Sequence, residues 1–228
     1  MSASPSAFDD ETYRAGVIEL LGALAYGEIS ACQRIVDDAA MAPDLPTRVE
    51  IAMMAAAEFE HFIALRDRLV ELGVDPYQAM EPFVDSFENF HRRTAPSDYL
   101  EGLVKMYVGD GLAADFYREI AAYLDPATRA LIVETMSGTS HSDFVVSQVR
   151  KAIEADPRIG GRMALWGRRL MGEALSQAQA LVAERDVLTS VIVGGTDSTG
   201  LDLTAIGRMF TRVTEAHTER MAALGLEA

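Results

Sequence analysis

Glu58 and His61 stand three residues apart in the run Glu58-Phe59-Glu60-His61, a spacing that puts both side chains on one face of a helix. That face continues through Met54, Phe62 and Leu65 and is otherwise apolar. A carboxylate beside an imidazole on an apolar stripe is the pairing by which helical bundles hold two iron or manganese ions: the carboxylate can bridge both metals while the imidazole binds one. Earlier in the chain, Glu28 interrupts a second apolar stripe, four residues after Leu24 and four before Cys32. A buried carboxylate is costly unless it is neutral, paired or bound to a cation, so Glu28 joins Glu58 and His61 as a candidate metal ligand. Asp110 sits on the stripe Leu103, Met106, Tyr107, Ala114 and Tyr117, and His141 lies further on. Gly109, Gly111, Ala113 and Ala114 surround Asp110 and leave room for an ion or for close helix packing.

The full pattern needs a second carboxylate three residues before His141, and that position is Gly138. Glu134, Glu60, water or an exogenous carboxylate stand as alternatives for the vacant place, and spacing does not choose among them. Fe, Mn and Zn all suit such a donor set.

The elements that must position these residues are helical. Apolar residues recur at three- and four-residue spacing, as in Leu21, Leu24, Ala25, Cys32, Ile35 and Val36, whereas alternating strand patterns are nearly absent. The breakers divide the chain into six helices. The first covers about 10–40 and the second runs from Pro46 to Gly73, a natural stop. A proline-bearing crossover over 75–97 holds short helical pieces. The third helix, capped by Ser97 or Asp98, reaches about Leu124, and Asp125-Pro126 opens a fourth that ends near Asp156-Pro157. The fifth covers about 158–190, the turn-rich loop 194–200 follows, and a last helix starts near Asp202. Two long helices, a crossover and two more long helices is the connectivity of an all-α, ferritin-like four-helix bundle. We expect one domain, with the core bundle over about 10–156 and additional C-terminal helices over about 158–228.

Composition limits the function classes. Of 228 residues, 35 are acidic and 20 basic, giving a net charge of −15, which argues against coating nucleic acid or anionic membranes through bulk charge. The hydrophobic share of 49% excludes a wholly disordered chain. Cys32 is the single cysteine, so neither an internal disulfide nor a cysteine-rich zinc site is available. Met1 to Glu11 shows no signal-peptide pattern, and the apolar stretch Gly16 to Gly27 is too short to span a bilayer. A soluble, cytoplasmic protein with no membrane partner is expected.

The stretches Tyr26-Gly27-Glu28, Ala55-Ala56-Ala57-Glu58-Phe59-Glu60-His61-Phe62, Tyr107-Val108-Gly109-Asp110-Gly111, Asp115-Phe116-Tyr117-Arg118-Glu119 and His141-Ser142-Asp143-Phe144 resemble the MiaE-like ferritin-fold proteins over roughly Tyr13 to Arg185. The namesake enzymes are non-haem di-iron monooxygenases that hydroxylate an isopentenylated adenosine in tRNA. The resemblance implies two iron ions and a redox partner. It implies Glu28 as a terminal ligand, Glu58 as a bridge with His61 as the first metal's imidazole, and Asp110 and His141 on the second metal. Asp110 stands where a Glu is commoner, and the second bridging carboxylate falls at Gly138. Hydroxylation of an organic substrate, a modified tRNA base among the candidates, is the implied activity.

A competing reading from another class is a non-catalytic ferritin-like scaffold whose degraded metal site survives as a hydrogen-bonded cluster. Iron storage fits poorly with the large C-terminal extension. The apolar surface of the last two helices suggests a homodimer. Arg162, Arg168 and Arg169 around Trp166 read either as an RNA-docking patch or as a solvated or subunit-facing surface, with the charge balance favouring the latter. His91 and His217 read as solvent-facing, Cys32 as a core residue, and the glycine loop at 194–200 as a hinge or turn rather than a phosphate loop.

Overall fold

Aspartates set where the helices begin. The computed structural model describes residues 7–135, 142–192 and 203–227, and every regular element among them is helical. Helix α1 is Glu11–Ala39, α2 Leu45–Glu71, α3 Pro76–Met80, α4 Val84–Arg93, α5 Tyr99–Ala121, α6 Pro126–Thr135, α7 Ser142–Ala155, α8 Arg158–Glu184, α9 Asp186–Ile192 and α10 Leu203–Ala223. The Asp10 carboxylate accepts from the backbone N–H groups of Thr12 and Tyr13, Asp44 from Thr47, and Asp98 from Glu101. Asp125 accepts from Ala127 and Thr128 at the start of α6. Each satisfies amides that a helix start leaves without partners. Gly73 ends the second helical segment with φ of 74°, a conformation that costs glycine little.

The crossover is built of α3, a short 3₁₀ turn at Glu81–Phe83, and α4. The expected fourth helix is represented by α6 and α7; Gly138, His141 and the loop 194–200 lie outside the described residues. The expected fifth helix breaks at Arg185, whose backbone (φ −128°, ψ 82°) leaves the helical region. Arg185 bonds Glu19 on α1 at 3.2 Å and lies 5.1 Å from the Phe83 ring centre. The break lets α9 fold back on α1, where Leu188 enters the core. Periodicity alone carries no sign of this turn.

Two apolar clusters form the interior. One gathers Ile35, Ile51, Leu103, Val149, Leu170 and Met221 among its members. The other includes Val17, Leu24, Leu65, Phe83, Ile120 and Ile132. The last helices do not hang free of the bundle: α8 and α10 pack on α5 and supply Met163, Trp166, Val213 and Met221 to the first cluster. The apolar stretch of α1 extends past the sequence limits of 16–27; by length and composition this helix is apolar enough to cross a membrane, and 56% of its most apolar stretch is buried inside the protein.

Candidate metal centre

The polar residues of interest lie at the seam between the two clusters. On α1, Glu28 falls between Ala25 of one cluster and Ile35 of the other. On α2, Glu58 and His61 fall between Ala55 and Phe62, and on α5 Asp110 falls between Val108 and Ala114. Helical spacing thus delivers four polar groups from three helices to one level of the bundle, beside a cavity of about 560 Å³ that all four line.

Glu28, Glu58 and His61 each offer a ligand atom within 4.8 Å of the others. His61 Nδ1 is 3.2 Å from Glu28 Oε2 and 4.0 Å from Glu58 Oε2, and the two carboxyl groups hydrogen-bond to each other. Glu28 is buried, at 7% exposure. Burial and the neighbouring Asp110 raise its carboxyl to about 7, against the lowering effect of the Glu58 hydrogen bond. Burial first, then Glu28, push Glu58 up to about 9. Asp110 is raised well above the usual carboxylate range by burial and by Glu58, with His61 acting in the opposite direction. Asp110 keeps accessible surface and lines the cavity, whose walls are largely apolar. Three carboxyl groups in so small a volume cannot all be ionised against one imidazole, and a divalent cation is the charge that would let them be. The donor set, carboxylate oxygens with an imidazole nitrogen, suits iron, manganese or zinc. By spacing and chemistry the residues fit such an ion.

Two of the expected alternatives for the vacant ligand place, Glu60 and Glu134, do not line the cavity. Both are exposed. His141 and Gly138 lie outside the described residues, but Thr135 and Ser142, which flank that segment, both line the cavity. The small residues around Asp110 serve two ends. Nothing lies within 4 Å of a side chain built at Gly109, whereas one at Gly111 would meet Arg220 Cδ at 2.4 Å.

Two histidine assignments need correction. His91 and His217 are buried, at 8% and 3% exposure, not solvent-facing. α4 turns His91 inward against α1, where its Nε2 is 3.1 Å from Ser30 Oγ. Ser30 donates its own proton to the Gly27 carbonyl, so the imidazole must be the donor and its Nδ1 is a bare acceptor without a partner. Burial, then Lys105 and Arg34, lower His91 to about 3, so the ring is neutral. The spacing carries a sign of this: His91 stands four residues after Phe87 and seven after Val84, on the apolar face of the amphipathic α4.

Residues the sequence did not single out also line the cavity. The Tyr117 hydroxyl is held well above the ordinary phenol range by burial and Glu28. Outside the cavity wall, Cys32, expected in the core, packs partly buried against the first cluster, and its thiol is raised by burial and by Glu58. Lys105, Asp38 and Arg34 mark another part of the wall. The cationic surface around Trp166 is engaged within the chain. Trp166 is buried and donates to the Glu101 carbonyl, Arg162 pairs with Asp98 and Glu101, Arg168 donates to the Glu227 carbonyl, and Arg169 donates to that of Arg93.

A family model described as the ferritin-like domain of actinomycetes matches residues 11–195. No curated protein matches the chain. Among solved structures, "Protein 19 with aldehyde deformylating oxidase activity from Synechococcus" is similar, with a TM-score of 0.71 at 20% identity over 97% of this chain and 94% of that one. A likeness at that identity speaks for the fold.

Proposed function

The chain belongs to the ferritin-like domain family of actinomycetes, and from that premise we propose that it is a metal-dependent oxidase or hydroxylase acting on a small organic molecule. The convergence of Glu28, Glu58 and His61 within 4.8 Å beside the cavity carries this reading. Those three residues with Asp110, and His141 from the neighbouring segment, would hold one or two metal ions, iron first. Iron so bound supplies dioxygen activation and oxidising equivalents, with electrons from a separate redox partner. The aldehyde deformylating oxidase activity of the similar Synechococcus protein supports the reaction class.

The chain's own groups have definable tasks. Glu28 and Glu58, whose carboxyl groups burial holds above the ordinary range, give up protons when a cation binds. Asp110 adds charge from the opposite helix. Tyr117 keeps its phenolic proton and so can hold a hydrogen bond near Glu28. The wall of phenylalanine, leucine and alanine side chains around them excludes water and suits an apolar substrate. MiaE-type specificity would add a tRNA base as substrate. The engaged state of the arginines near Trp166 favours instead a molecule that enters the cavity whole.

Elemental analysis of protein grown with added iron and manganese, beside a Glu58→Ala control, tests the reading. Near two equivalents of metal, lost in the variant, is the expected result, and one equivalent would mean that the place at Gly138 leaves the second position unfilled. No metal in either sample would put the scaffold reading in its place.

A further inference from the structure

The cavity has a second polar end. Lys105 on α5 is 7% exposed and lines the cavity. Among the described residues its ammonium forms no hydrogen bond or close ion pair; it lies over the Phe90 ring, 5.8 Å from Nζ to centroid. Asp38 on α1 lines the same cavity, packed against the backbone of Gly102, with its carboxylate likewise free of hydrogen bonds among the described residues. The two attract one another without touching. Of the other charges, Arg34 is held by Glu88 at 2.6 Å and faces Asp37 at 3.8 Å, with its Nε buried and unpaired among the described residues; Glu88 also accepts from Tyr26, and His91 is neutral and turned to Ser30. A buried ammonium and a half-buried carboxylate, each lacking a direct partner across one void, are costly as they stand. A single group that accepts from one and donates to the other would satisfy both.

We propose that Asp38 and Lys105 form a head-group subsite, which binds the hydroxyl-bearing end of an amphipathic substrate, either an alcohol or an undissociated carboxylic acid. This rests on the reading that the cavity admits the substrate of the carboxylate–imidazole cluster. Helix geometry then sets where the substrate meets that cluster. Five residues separate Lys105 from Asp110 and ten separate Asp38 from Glu28, or about 7.5 and 15 Å along the helix axes at 1.5 Å per residue. A molecule anchored by its head at Lys105 presents carbons several bonds away from that head to the cluster, so oxidation falls on the apolar chain and not beside the polar end.

Calorimetric titration of the metal-free, full-length protein with 1-octanol and with octyl methyl ether tests this, since the ether accepts a hydrogen bond but cannot donate one. Octanol is expected to bind roughly ten- to a hundredfold more tightly than the ether, as for a hydrogen bond to charged groups. Asp38→Ala should bring octanol down toward the ether while leaving the ether's affinity unchanged, a pattern that misfolding would not produce, and Lys105→Met, which removes the donor that both ligands use, should weaken both. Octanoic acid, titrated below and above its own pKa in wild type and in Asp38→Ala, separates the two head groups: tighter binding of the undissociated form that Asp38→Ala abolishes adds the acid to the alcohol as ligand, and any other result confines the subsite to alcohols. Equal affinities for octanol and ether in the wild type would overturn the proposal, as would a preference that survives Asp38→Ala or an octanol affinity that Lys105→Met leaves unchanged; a water that stays trapped between the two groups would give the first result. Glu58→Ala should keep the octanol preference. If that variant abolishes it and Asp38→Ala does not, the hydroxyl sits at the metal cluster and the subsite is refuted, with the metal reading intact. An octanol preference in a protein that takes up no metal would leave the subsite standing and remove the oxidase.

Discussion

α1 and α5 each contribute to two polar regions of one cavity, and the regions differ in how their charges are met. At the Glu28 end, acids outnumber bases: Glu28, Glu58 and Asp110 face His61, and burial lifts the carboxyl groups. At the Lys105 end, one acid and one base face each other without contact. The first arrangement is short of positive charge, which a cation can supply; the second is short of a bridging group, which a neutral polar ligand can supply. Burial is the cause of strain at both ends, but only charge imbalance points to a metal.

The largest effect should come from removing metal. Metal-loaded wild type is expected to lose about 4 kcal/mol on chelation if loaded at a thousand times its dissociation constant, and Glu58→Ala should not respond to chelator. In the metal-free state the order reverses or levels, since the variant lacks one of three crowded buried acids. Thermal melts of both proteins with and without chelator read this directly. A metal-free Glu58→Ala protein much less stable than metal-free wild type would mean that the acids serve as a hydrogen-bonded structural cluster.

Next in size is Lys105→Met, expected to stabilise the metal-free protein by roughly 1–3 kcal/mol at neutral pH, because an ammonium without a direct partner leaves the interior. Burial, then Arg34, hold Lys105 down to about 8 from its ordinary 10.5, while Asp38 pulls the other way. A lysine whose folded value lies below its unfolded one destabilises the fold fully below the folded value. The penalty is relieved as pH rises from about 8 to 10.5, because there only the unfolded chain still binds the proton. The stability gap between wild type and variant should therefore narrow across that window in urea melts. A gap constant with pH would show that Lys105 is already well paired.

The same contrast explains what could be read from the sequence. Glu58 and His61 were legible because their i, i+3 spacing breaks an apolar stripe, and Glu28 because it breaks another. Asp98 and Asp125 were legible as caps, since a capping carboxylate acts on amides two or three residues away. Lys105 and Asp38 were not legible. A lone lysine or aspartate on a helix is ordinarily solvated, and only the approach of α1 to α5 at Gly102 takes them out of water. For His91 the apolar face it shares with Val84 and Phe87 was legible, but its partner was not: the crossover folds that face inward onto Ser30, a contact spanning 61 residues. Local pattern registers the chemistry that one helix assembles and is blind to what distant segments enclose.

The smallest effects lie beside Asp110, where two glycines with the same sequence signature should give opposite signs. Gly111→Ala puts a methyl 2.4 Å from Arg220 Cδ. Arg220 cannot swing aside freely, because it is paired with Asp115 and its Nε and Nη2 are buried. A cost of roughly 1–3 kcal/mol is expected, as for overpacking. Gly109→Ala meets nothing within 4 Å and exchanges a poor helix former for the best one, so it should stabilise by about 0.5–1 kcal/mol. Denaturant melts of the two metal-free variants compare them directly. If both destabilise, the space at Gly109 is filled in solution, and the room beside Asp110 is not available to an ion or a substrate.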